Sequence, residues 1–408
     1  MPIAFLNRAR GSDATSFYDF VTGSLPTGVS FTRASSGWRY NSAGLLVSET
    51  TDAPRFQYDP ATLTPRGLLI EAAATNDFQR SAELDNGYWS KTNSSVSADG
   101  AVAPDGTTTM DKLIESASGG THIAYRGMNV VSGTTYAFEV FVKADTRSWC
   151  SLAFQSTGFG STLRNYFDVG TGALGTAGAG CATFIQPVGG GIYRCVAIAT
   201  ATATASANIS IELASADLTA SYTGDGTSGL FVWGANFKAI NCVTSTIPTT
   251  SAAVTRAADV ALITNANALA DQCWIIRGRT PRRTTGGNIS VVFQVDDGTD
   301  ANRRIAYYSA AGNLIVAAAD GDVTQSSLDL GAVAVDTDFT IAARFADNNF
   351  AASLNGGAIV TDTSGTNPLG LTTARIGRDV AGYYWNSTIR TIETRRTASD
   401  TELPLLAA

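Results

Sequence analysis

Charged side chains are scarce in this sequence, and several kinds of segment are missing from it. Only 15% of its 408 residues are Asp, Glu, Lys or Arg, well below the ~25% of an average soluble domain. No run approaches the ~18 apolar residues of a membrane span. The net charge is −7, and the basic residues do not cluster into a stripe. We therefore expect a protein that neither inserts into a membrane nor binds nucleic acid.

Histidine and paired cysteines are also nearly absent. His122 is the only histidine, which removes most metal sites, and its Thr-His-Ile-Ala-Tyr context is typical of an ordinary strand. We interpret it as a surface or internally hydrogen-bonded residue rather than a member of a catalytic triad. The cysteines are odd in number and include no Cys-x-x-Cys pair, which is typical of buried thiols in a protein assembled in a reducing cytoplasm. A disulfide between two of them stays open, because sequence does not fix connectivity. They are Cys150, Cys181, Cys195, Cys242 and Cys273.

The N-terminus lacks the basic and then apolar pattern of a secretory signal peptide. Residues 1–6 run directly into a polar segment with two arginines at 7–10. The weakly acidic, Thr-rich composition is nevertheless typical of proteins that act outside a cell. We therefore expect synthesis in a cytoplasm, release by another route such as lysis, and action outside the cell.

Residues that favour strands and turns take the place of the missing charge. Thr, Ser, Val, aromatic residues and 40 glycines suit antiparallel sheets joined by tight turns. Apolar and polar residues alternate in many short segments, and no amphipathic helices separate these segments as a parallel sheet would require. The sequence therefore predicts an all-β fold.

The spacing of these segments predicts two antiparallel β-sandwich or jelly-roll domains. Seven or eight strands predict a jelly roll at residues 81–247, and a second series predicts a sandwich at 273–408. A connector at 248–272 joins them, and a short N-terminal attachment region at 1–80 precedes them. Ser399, with a Glu three residues further on, has a capping-box pattern and predicts a short C-terminal helix.

Three groups of short motifs are present in different parts of the chain. They are FTRAS at 31–35, NSAGLL at 41–46, PRF at 54–56, YDP at 58–60 and RGLLIE at 66–71; then YW at 88–89, APDGT at 103–107, FVKA at 141–144 and YTGDGT at 222–227; and finally SLNGG at 353–357, IGRD at 376–379 and YWNSTIR at 384–390. The first group resembles the N-terminal segment of tailed-phage virion appendage proteins of the tail-fibre and head-fibre type. The second is similar to their carbohydrate-binding-module-like jelly roll, and the third to a concanavalin-like (laminin-G-like) sandwich.

This resemblance implies a phage virion structural protein, a tail-fibre or receptor-binding appendage that engages host surface polysaccharide without catalysis. It also implies other virion proteins as partners and a homo-oligomer, most plausibly a trimer, although the chain has no coiled-coil pattern. One alternative is a head-decoration, head-fibre or spike-base protein whose lectin-like domains serve for packing. A second alternative is a capsule depolymerase.

The segment at 54–77 combines prolines with a short apolar run. Prolines keep a chain extended and cannot donate a hydrogen bond, as an edge or crossing segment requires. Leu68, Leu69 and Ile70 are consecutive, so both faces of this piece need cover. Because one sandwich covers only one face, we expect a docking segment buried between the jelly roll and a neighbouring subunit or virion protein.

Two aromatic clusters are candidates for glycan binding, because lectin-like sites stack a sugar on an aromatic ring and bind its hydroxyls with Asn, Asp or Arg. In the second sandwich, consecutive aromatic residues cannot all face the core of a strand. By contrast, Phe231 and Trp233 alternate in a strand and are interpreted as core. The candidate residues are Tyr384, Trp385, Asn386, Arg378 and Asp379 in one cluster, and Tyr88 and Trp89 in the other.

The acidic residues include candidate ligands for calcium but no recognisable catalytic motif. Asp296, Asp297 and Asp300 form an oxygen-rich stretch that suits a structural calcium ion, although Asp and Gly are also ordinary hairpin-turn residues. No cofactor is expected otherwise. Glycoside hydrolysis needs two carboxylates in a cleft. Five Asp or Glu residues could supply a carboxylate, but none of them lies in a catalytic motif. Two of them, Glu139 and Glu212, are expected on the solvent face of strands. These candidates are Glu71, Glu115, Glu139, Asp168 and Glu212.

Overall fold

A computed structural model describes residues 14–264, 272–284 and 287–408. Strands dominate these residues, and the paired strands run antiparallel. The two helices described are one turn or slightly longer. The predicted all-β class is therefore confirmed.

The strands and helices are numbered in chain order. Before residue 81 the strands are β1 (Ala14–Asp19), β2 (Val29–Thr32), β3 (Gly37–Tyr40), β4 (Leu46–Glu49), β5 (Phe56–Tyr58), β6 (Pro65–Ile70) and β7 (Ala74–Asn76). Then follow β8 (Ser90–Thr92), β9 (Ser94–Val102), β10 (Thr108–Glu115), β11 (Gly119–Thr121), β12 (Ile123–Val130), β13 (Thr135–Ala144), β14 (Trp149–Phe154), α1 (Ser156–Phe159), β15 (Leu163–Asp168), β16 (Ala173–Leu174), β17 (Ala182–Pro187), β18 (Ile192–Thr200), β19 (Ala205–Ala214), β20 (Ser221–Thr223) and β21 (Gly229–Lys238). The rest are β22 (Val254–Arg256), β23 (Val260–Ile263), β24 (Cys273–Arg279), β25 (Ser290–Asp296), β26 (Arg303–Tyr308), β27 (Asn313–Asp320), β28 (Val323–Ala332), β29 (Asp338–Arg344), β30 (Phe350–Leu354), β31 (Val360–Asp362), β32 (Thr373–Ile376), β33 (Ser387–Arg395) and α2 (Glu402–Ala407).

The jelly roll consists of two six-stranded sheets in the orders β17-β18-β13-β21-β10-β9 and β16-β15-β14-β19-β12-β8. Alternating apolar residues of both sheets point inward and form one core, in which aromatic rings such as Phe138 and Phe154 meet edge to face. This is the packing that period-two patterning dictates, since successive side chains of a strand point to opposite faces.

The second sandwich, called the C-terminal sandwich below, contains strands from both ends of the chain. One sheet has the order β31-β30-β29-β24-β33-β6-β5, with β1 also paired to β33, and the other has the order β2-β23-β32-β25-β26-β27-β28. Strand β33 receives β24 on one edge, while β6 and β1 share its other edge. The core includes Trp274 against Phe293 and Phe345.

The predicted boundaries at residues 80 and 248 do not separate structural units. Within 1–80, β1, β2, β5 and β6 complete the sheets of the C-terminal sandwich. Within 248–272, β22 pairs with β7, and β23 lies between β2 and β32. The sequence analysis did not predict β22 and β23 as strands, and local patterning could not show the partners of any of these strands, because the partners lie far away in the chain.

The apolar run in β6 is buried inside its own chain. Leu68 and Ile70 belong to the core of the C-terminal sandwich, and Leu69 is buried on the opposite face. Gly67 has a φ of +96°, and a Cβ there would lie 2.2 Å from the carbonyl oxygen of Ile389, so glycine allows β6 to approach β33. The expectation that both faces need cover was right, but the expectation that a neighbouring protein covers one of them was wrong.

The hairpin of β3 and β4 packs on the outside of the jelly roll. Tyr40 and Leu46 join Phe141, Trp233 and other residues of the first jelly-roll sheet in a small apolar cluster. The Leu46 N–H also donates to the carbonyl of Pro104 at 2.9 Å. The hairpin thereby links the N-terminal part of the chain, which belongs to the C-terminal sandwich, to the jelly roll.

Two groups of buried charges lie where the sandwiches meet. The first group joins Arg33, Arg55 and Arg256 to the carboxylates of Glu71 and Asp259. The second group joins Arg194 and Lys238 to Glu139. Ser245, which follows the jelly roll in the chain, binds to the first group. Its N–H donates to the Glu71 carboxylate at 2.6 Å, and its hydroxyl donates to the same carboxylate at 2.7 Å. Buried charges of this kind are tolerated only when they are paired.

The C-terminal helix forms as predicted. The Ser399 N–H and hydroxyl each donate to the Glu402 carboxylate at 2.7 Å, which is the reciprocal half of a capping box. Helix α2 buries Leu403 and Ala407 against β24, β29 and β30.

Candidate functional site

The aromatic cluster predicted around Trp385 is largely part of the protein core. Trp385 has no exposed surface, packs edge to face on Phe339 and donates from Nε1 to the Thr388 carbonyl at 3.3 Å. Tyr384 is half-buried, and its hydroxyl accepts from Arg378 Nη1 at 3.2 Å. The prediction that Trp385 stacks on a sugar is therefore wrong, because the ring is inaccessible.

The polar residues of the same cluster hold the backbone. The Asp379 carboxylate is buried and accepts the N–H groups of Gly382 and Tyr383 at 2.7 and 2.8 Å, and burial raises its pKa. The Asn386 side chain accepts the Ala72 N–H at 2.9 Å. These two side chains close a turn and attach the N-terminal part of the chain to β33, so they have little capacity left for a glycan.

The second predicted cluster is also mainly structural. Trp89 is only 2% exposed, lies 4.8 Å from the Phe78 ring and donates to the Arg80 carbonyl at 3.0 Å. Tyr88 is half-buried with the Arg126 guanidinium 4.3 Å from its ring centroid. Trp89 is thus unavailable for stacking, and one face of Tyr88 is already occupied by a cation. The core assignment of Trp233 is correct, whereas Phe231 is half-buried at the edge of the hairpin cluster.

The carboxylates suggested for calcium already have protein partners. Asp296 is buried and binds Arg375 at 2.7 and 3.1 Å. Asp297 accepts from Thr299 and Asn302, and Asp300 pairs with Arg303. No group of three or more His, Cys, Asp or Glu side chains in the described parts of the chain is arranged to hold a metal ion.

The carboxylates considered for catalysis are engaged as well. Four of them pair with arginine, and the fifth accepts hydrogen bonds within its own turn. Glu139 and Glu212 are buried, so the expectation that they mark a solvent face was wrong. The pairs are Glu71 with Arg55, Glu115 with Arg147, Glu139 with Arg194 and Glu212 with Arg164, and Asp168 accepts from Gly170 and Thr171.

His122 is an internally bonded histidine, which is one of the two alternatives that the sequence left open. It is fully buried, and its two ring nitrogens lie 2.7 and 3.2 Å from the carbonyl oxygens of Asn93 and Tyr222. Nothing in this arrangement activates a nucleophile, so the histidine belongs to the fold of the jelly roll.

A groove that the motifs did not indicate lies beside the β3–β4 hairpin. It has a volume of about 450 Å³, and Trp38 on the hairpin forms one wall. The jelly roll supplies the other walls, and residues 248–250 complete them. We call it the Trp38 groove; its jelly-roll lining is Ala82, Glu83, Asp85, Ala98, Asp99, Asp105, Thr107, Thr109, Asp111 and Trp233.

Carboxylates dominate the Trp38 groove. Asp111 is buried at its base, where it accepts the N–H groups of Leu84 and Asp99 at 2.6 and 3.1 Å, and burial raises its pKa. Asp85 and Asp99 are exposed, and no hydrogen bond or ion pair from the described residues engages either carboxylate. The groove therefore offers one half-buried indole and two free carboxylates, which suits the hydroxyl groups of a neutral sugar.

The sequence contained no signal that singles out Trp38. Trp38 and Tyr40 are two positions apart in β3, so alternation places both side chains on the same face of the strand. What the sequence could not show is that Trp38 lines a groove together with residues of the 81–111 segment.

Comparisons with known proteins give only distant structural likeness. No protein-family model and no curated protein matches the sequence. The carbohydrate-binding module CBM40 of the Ruminococcus gnavus IT-sialidase, bound to α2,6 sialyllactose, is 19% identical with a TM-score of 0.30, over 35% of this chain and 87% of that one. The leech intramolecular trans-sialidase complexed with 2,7-anhydro-Neu5Ac is 18% identical with a TM-score of 0.29, over 34% of this chain and 23% of that one. Likeness at this level assigns no ligand, so the site is argued from its own residues.

The described residues contain no helix that is long and apolar enough to cross a membrane.

Proposed function

We propose that this chain is a non-catalytic glycan-binding protein of a phage virion appendage, and that it engages neutral host surface polysaccharide in the Trp38 groove. The observation that carries the binding proposal is that half-buried Trp38 and the free carboxylates of Asp85 and Asp99 line one groove of about 450 Å³. A ring can cover the apolar face of a sugar, while carboxylate oxygens accept from its hydroxyls. The appendage role is supported by the motif resemblance alone.

The charge of the groove argues for a neutral glycan. Glu83, Asp85, Asp99, Asp105 and Asp111 all line it. A uronic acid or sialic acid would bring a further negative charge next to these carboxylates, and like charges repel. Neutral polysaccharide is therefore the expected ligand class.

The binding test uses purified protein and a panel of bacterial surface polysaccharides, neutral and acidic, with binding measured by calorimetry. We expect binding to neutral members, and we expect Trp38→Ala to weaken it at least about ten-fold, the equivalent of roughly 1.4 kcal/mol. Asp99→Asn should also weaken binding without unfolding the protein, because the side chain is exposed and Asn accepts the positive φ of 55° at this position.

The matched control is Tyr383→Ala, which removes an aromatic residue that is 37% exposed and lies in the other sandwich. It should leave binding unchanged. Binding that is insensitive to Trp38 and Asp99 but lost in Tyr383→Ala would move the site to the cluster around Tyr384. An absence of binding to every polysaccharide at high protein concentration would refute the glycan proposal.

Two further measurements test the place of the protein in the virion and the absence of polysaccharide cleavage. Antibody labelling of intact particles should decorate tails; label confined to heads would instead support a head-fibre or head-decoration protein. Incubation with bound polysaccharide should release no reducing ends. Release that is lost in Asp99→Asn would instead support a depolymerase.

A further inference from the structure

The junction between the sandwiches contains a cavity of about 100 Å³. Trp38 borders both this cavity and the Trp38 groove, but arginines predominate among the charged residues that line the cavity, whereas carboxylates line the groove. Its inner wall includes Tyr40, Arg194 and Thr244. Its outer wall includes the half-buried Arg39 and Arg282. We call it the junction cavity.

Three polar atoms on the inner wall have no hydrogen-bond partner among the described residues. They are the Tyr40 hydroxyl, the Thr244 hydroxyl and Arg194 Nε, and all three residues are more than nine-tenths buried. A buried polar atom without a partner costs roughly 1–3 kcal/mol, and native proteins usually satisfy such atoms with a ligand or water. Three orphan groups on one wall therefore point to an occupant.

All three groups can donate. The Arg194 guanidinium has donors only, and burial raises the pKa of the Tyr40 hydroxyl far above its ordinary value, so it keeps its proton at neutral pH. The complementary occupant is a group made of hydrogen-bond acceptors.

The charge of the cavity lining favours a negative occupant. Five arginines and three carboxylates line the cavity, an excess of two positive charges. Behind the lining, Glu139 serves both Arg194 and Lys238, so neither cation has a carboxylate of its own. The lining arginines are Arg39, Arg66, Arg194, Arg279 and Arg282, and the lining carboxylates are Asp59, Glu71 and Asp336.

We propose that the junction cavity binds a small oxyanion group, a carboxylate or a sulfate, between the Tyr40 and Thr244 hydroxyls and the Arg194 guanidinium. Its volume suits one such group rather than a complete sugar ring. The site is distinct from the proposed glycan groove, although Trp38 borders both, since its unpartnered groups belong to other residues and its lining has the opposite charge.

The test measures binding of sodium sulfate, sodium glucuronate and glucose by calorimetry and thermal unfolding, against sodium chloride at equal ionic strength. We expect sulfate or glucuronate to bind with one site per chain and to raise Tm, and we expect glucose not to. Tyr40→Phe and Thr244→Val each remove one orphan hydroxyl and should weaken binding about ten-fold or more, because hydrogen bonds to charged groups are strong.

Both substitutions should leave the unliganded fold intact, because neither hydroxyl has a partner to lose. Tyr18→Phe is the matched control, since the Tyr18 hydroxyl is also buried without a partner but lies in the core of the C-terminal sandwich. It should bind the anion like the unmodified protein.

Each outcome has a defined meaning. Binding of glucuronate identifies an acidic sugar as a source of the group, and binding of sulfate alone identifies an inorganic oxyanion; both support the site. No binding beyond that of chloride, or equal binding in all three variants and the unmodified protein, would overturn the proposal and leave water as the occupant. The variants in this test leave Trp38 and Asp99 unchanged, so failure of this proposal and failure of the glycan proposal are distinguishable.

Discussion

Arg33 and Asp259 lie 226 positions apart in the chain, and their side chains form an ion pair with 3.2 Å between Nη1 and Oδ1. Neither side chain is exposed. Asp259 also pairs with Arg55 and accepts the Glu71 N–H at 2.8 Å. One carboxylate thereby joins segments of the N-terminal part of the chain to the segment between β22 and β23.

We expect Asp259→Ala to lower the free energy of unfolding by about 3–5 kcal/mol, because it leaves buried guanidinium groups without a counter-charge. Asp300→Ala, which breaks the partly exposed pair with Arg303, is the control and should cost no more than about 1 kcal/mol. Urea unfolding at pH 7 measures both. Equal losses in the two variants would contradict a stabilising role of the junction network.

Stability should fall in acid through Glu71. Burial alone would raise the pKa of this carboxyl, but the charges of Arg55 and Arg256 and the Ser245 hydroxyl outweigh burial and hold it well below its ordinary range. A carboxyl whose pKa is lower in the folded state stabilises the protein above its unfolded pKa of about 4.3, and this contribution is lost as the pH falls further.

We therefore expect the free energy of unfolding to decrease steadily between about pH 5 and pH 2. Glu71→Gln should be less stable than the unmodified protein at pH 7 and should show a smaller decrease over the same interval. If the free energy of unfolding depends on pH in the same way in both proteins, other carboxyls are responsible for the decrease. Asp59 is one of them, because its contacts with Arg66 and with backbone N–H groups lower its pKa to about 2.

The apolar run in β6 should contribute to the stability of the isolated chain. Leu68→Ala opens a cavity in the core of the C-terminal sandwich and should cost about 2–5 kcal/mol. Leu69→Asp places a charge on the buried opposite face and should also destabilise the purified protein. Thermal unfolding of the two variants checks this, with exposed Leu369→Ala as the control. Normal stability combined with failed particle assembly would restore the docking interpretation.

All five cysteines are free, and four of them are buried. Cys181 is half-buried, and burial raises its pKa to about 11, so the reactive thiolate is rare at neutral pH. We expect a thiol reagent to count five thiols after denaturation. In the native protein only Cys181 should react, slowly, and Cys181→Ser should abolish that reaction. A count of three in denaturant would reveal a disulfide.

Sequence patterning located most strands but not the candidate site. The sequence analysis selected Trp385 and Trp89 as candidates for sugar stacking, yet both rings lie in cores. Consecutive aromatic residues signalled that one of them faces solvent, and the exposed one is Tyr383. Which member of such a run is exposed depends on register, which a distant partner strand fixes.

The sequence by itself determined the all-β class and the C-terminal helix, because these follow from local periodicity, capping and composition. Only the tertiary structure decided that β1, β2, β5 and β6 complete the C-terminal sandwich, that Leu68 is covered by its own chain, and that Trp38 and Asp99 line one groove. The physical reason is that antiparallel pairing and ion pairing are contacts between residues far apart in sequence, such as Arg33 and Asp259, and no local pattern encodes the partner.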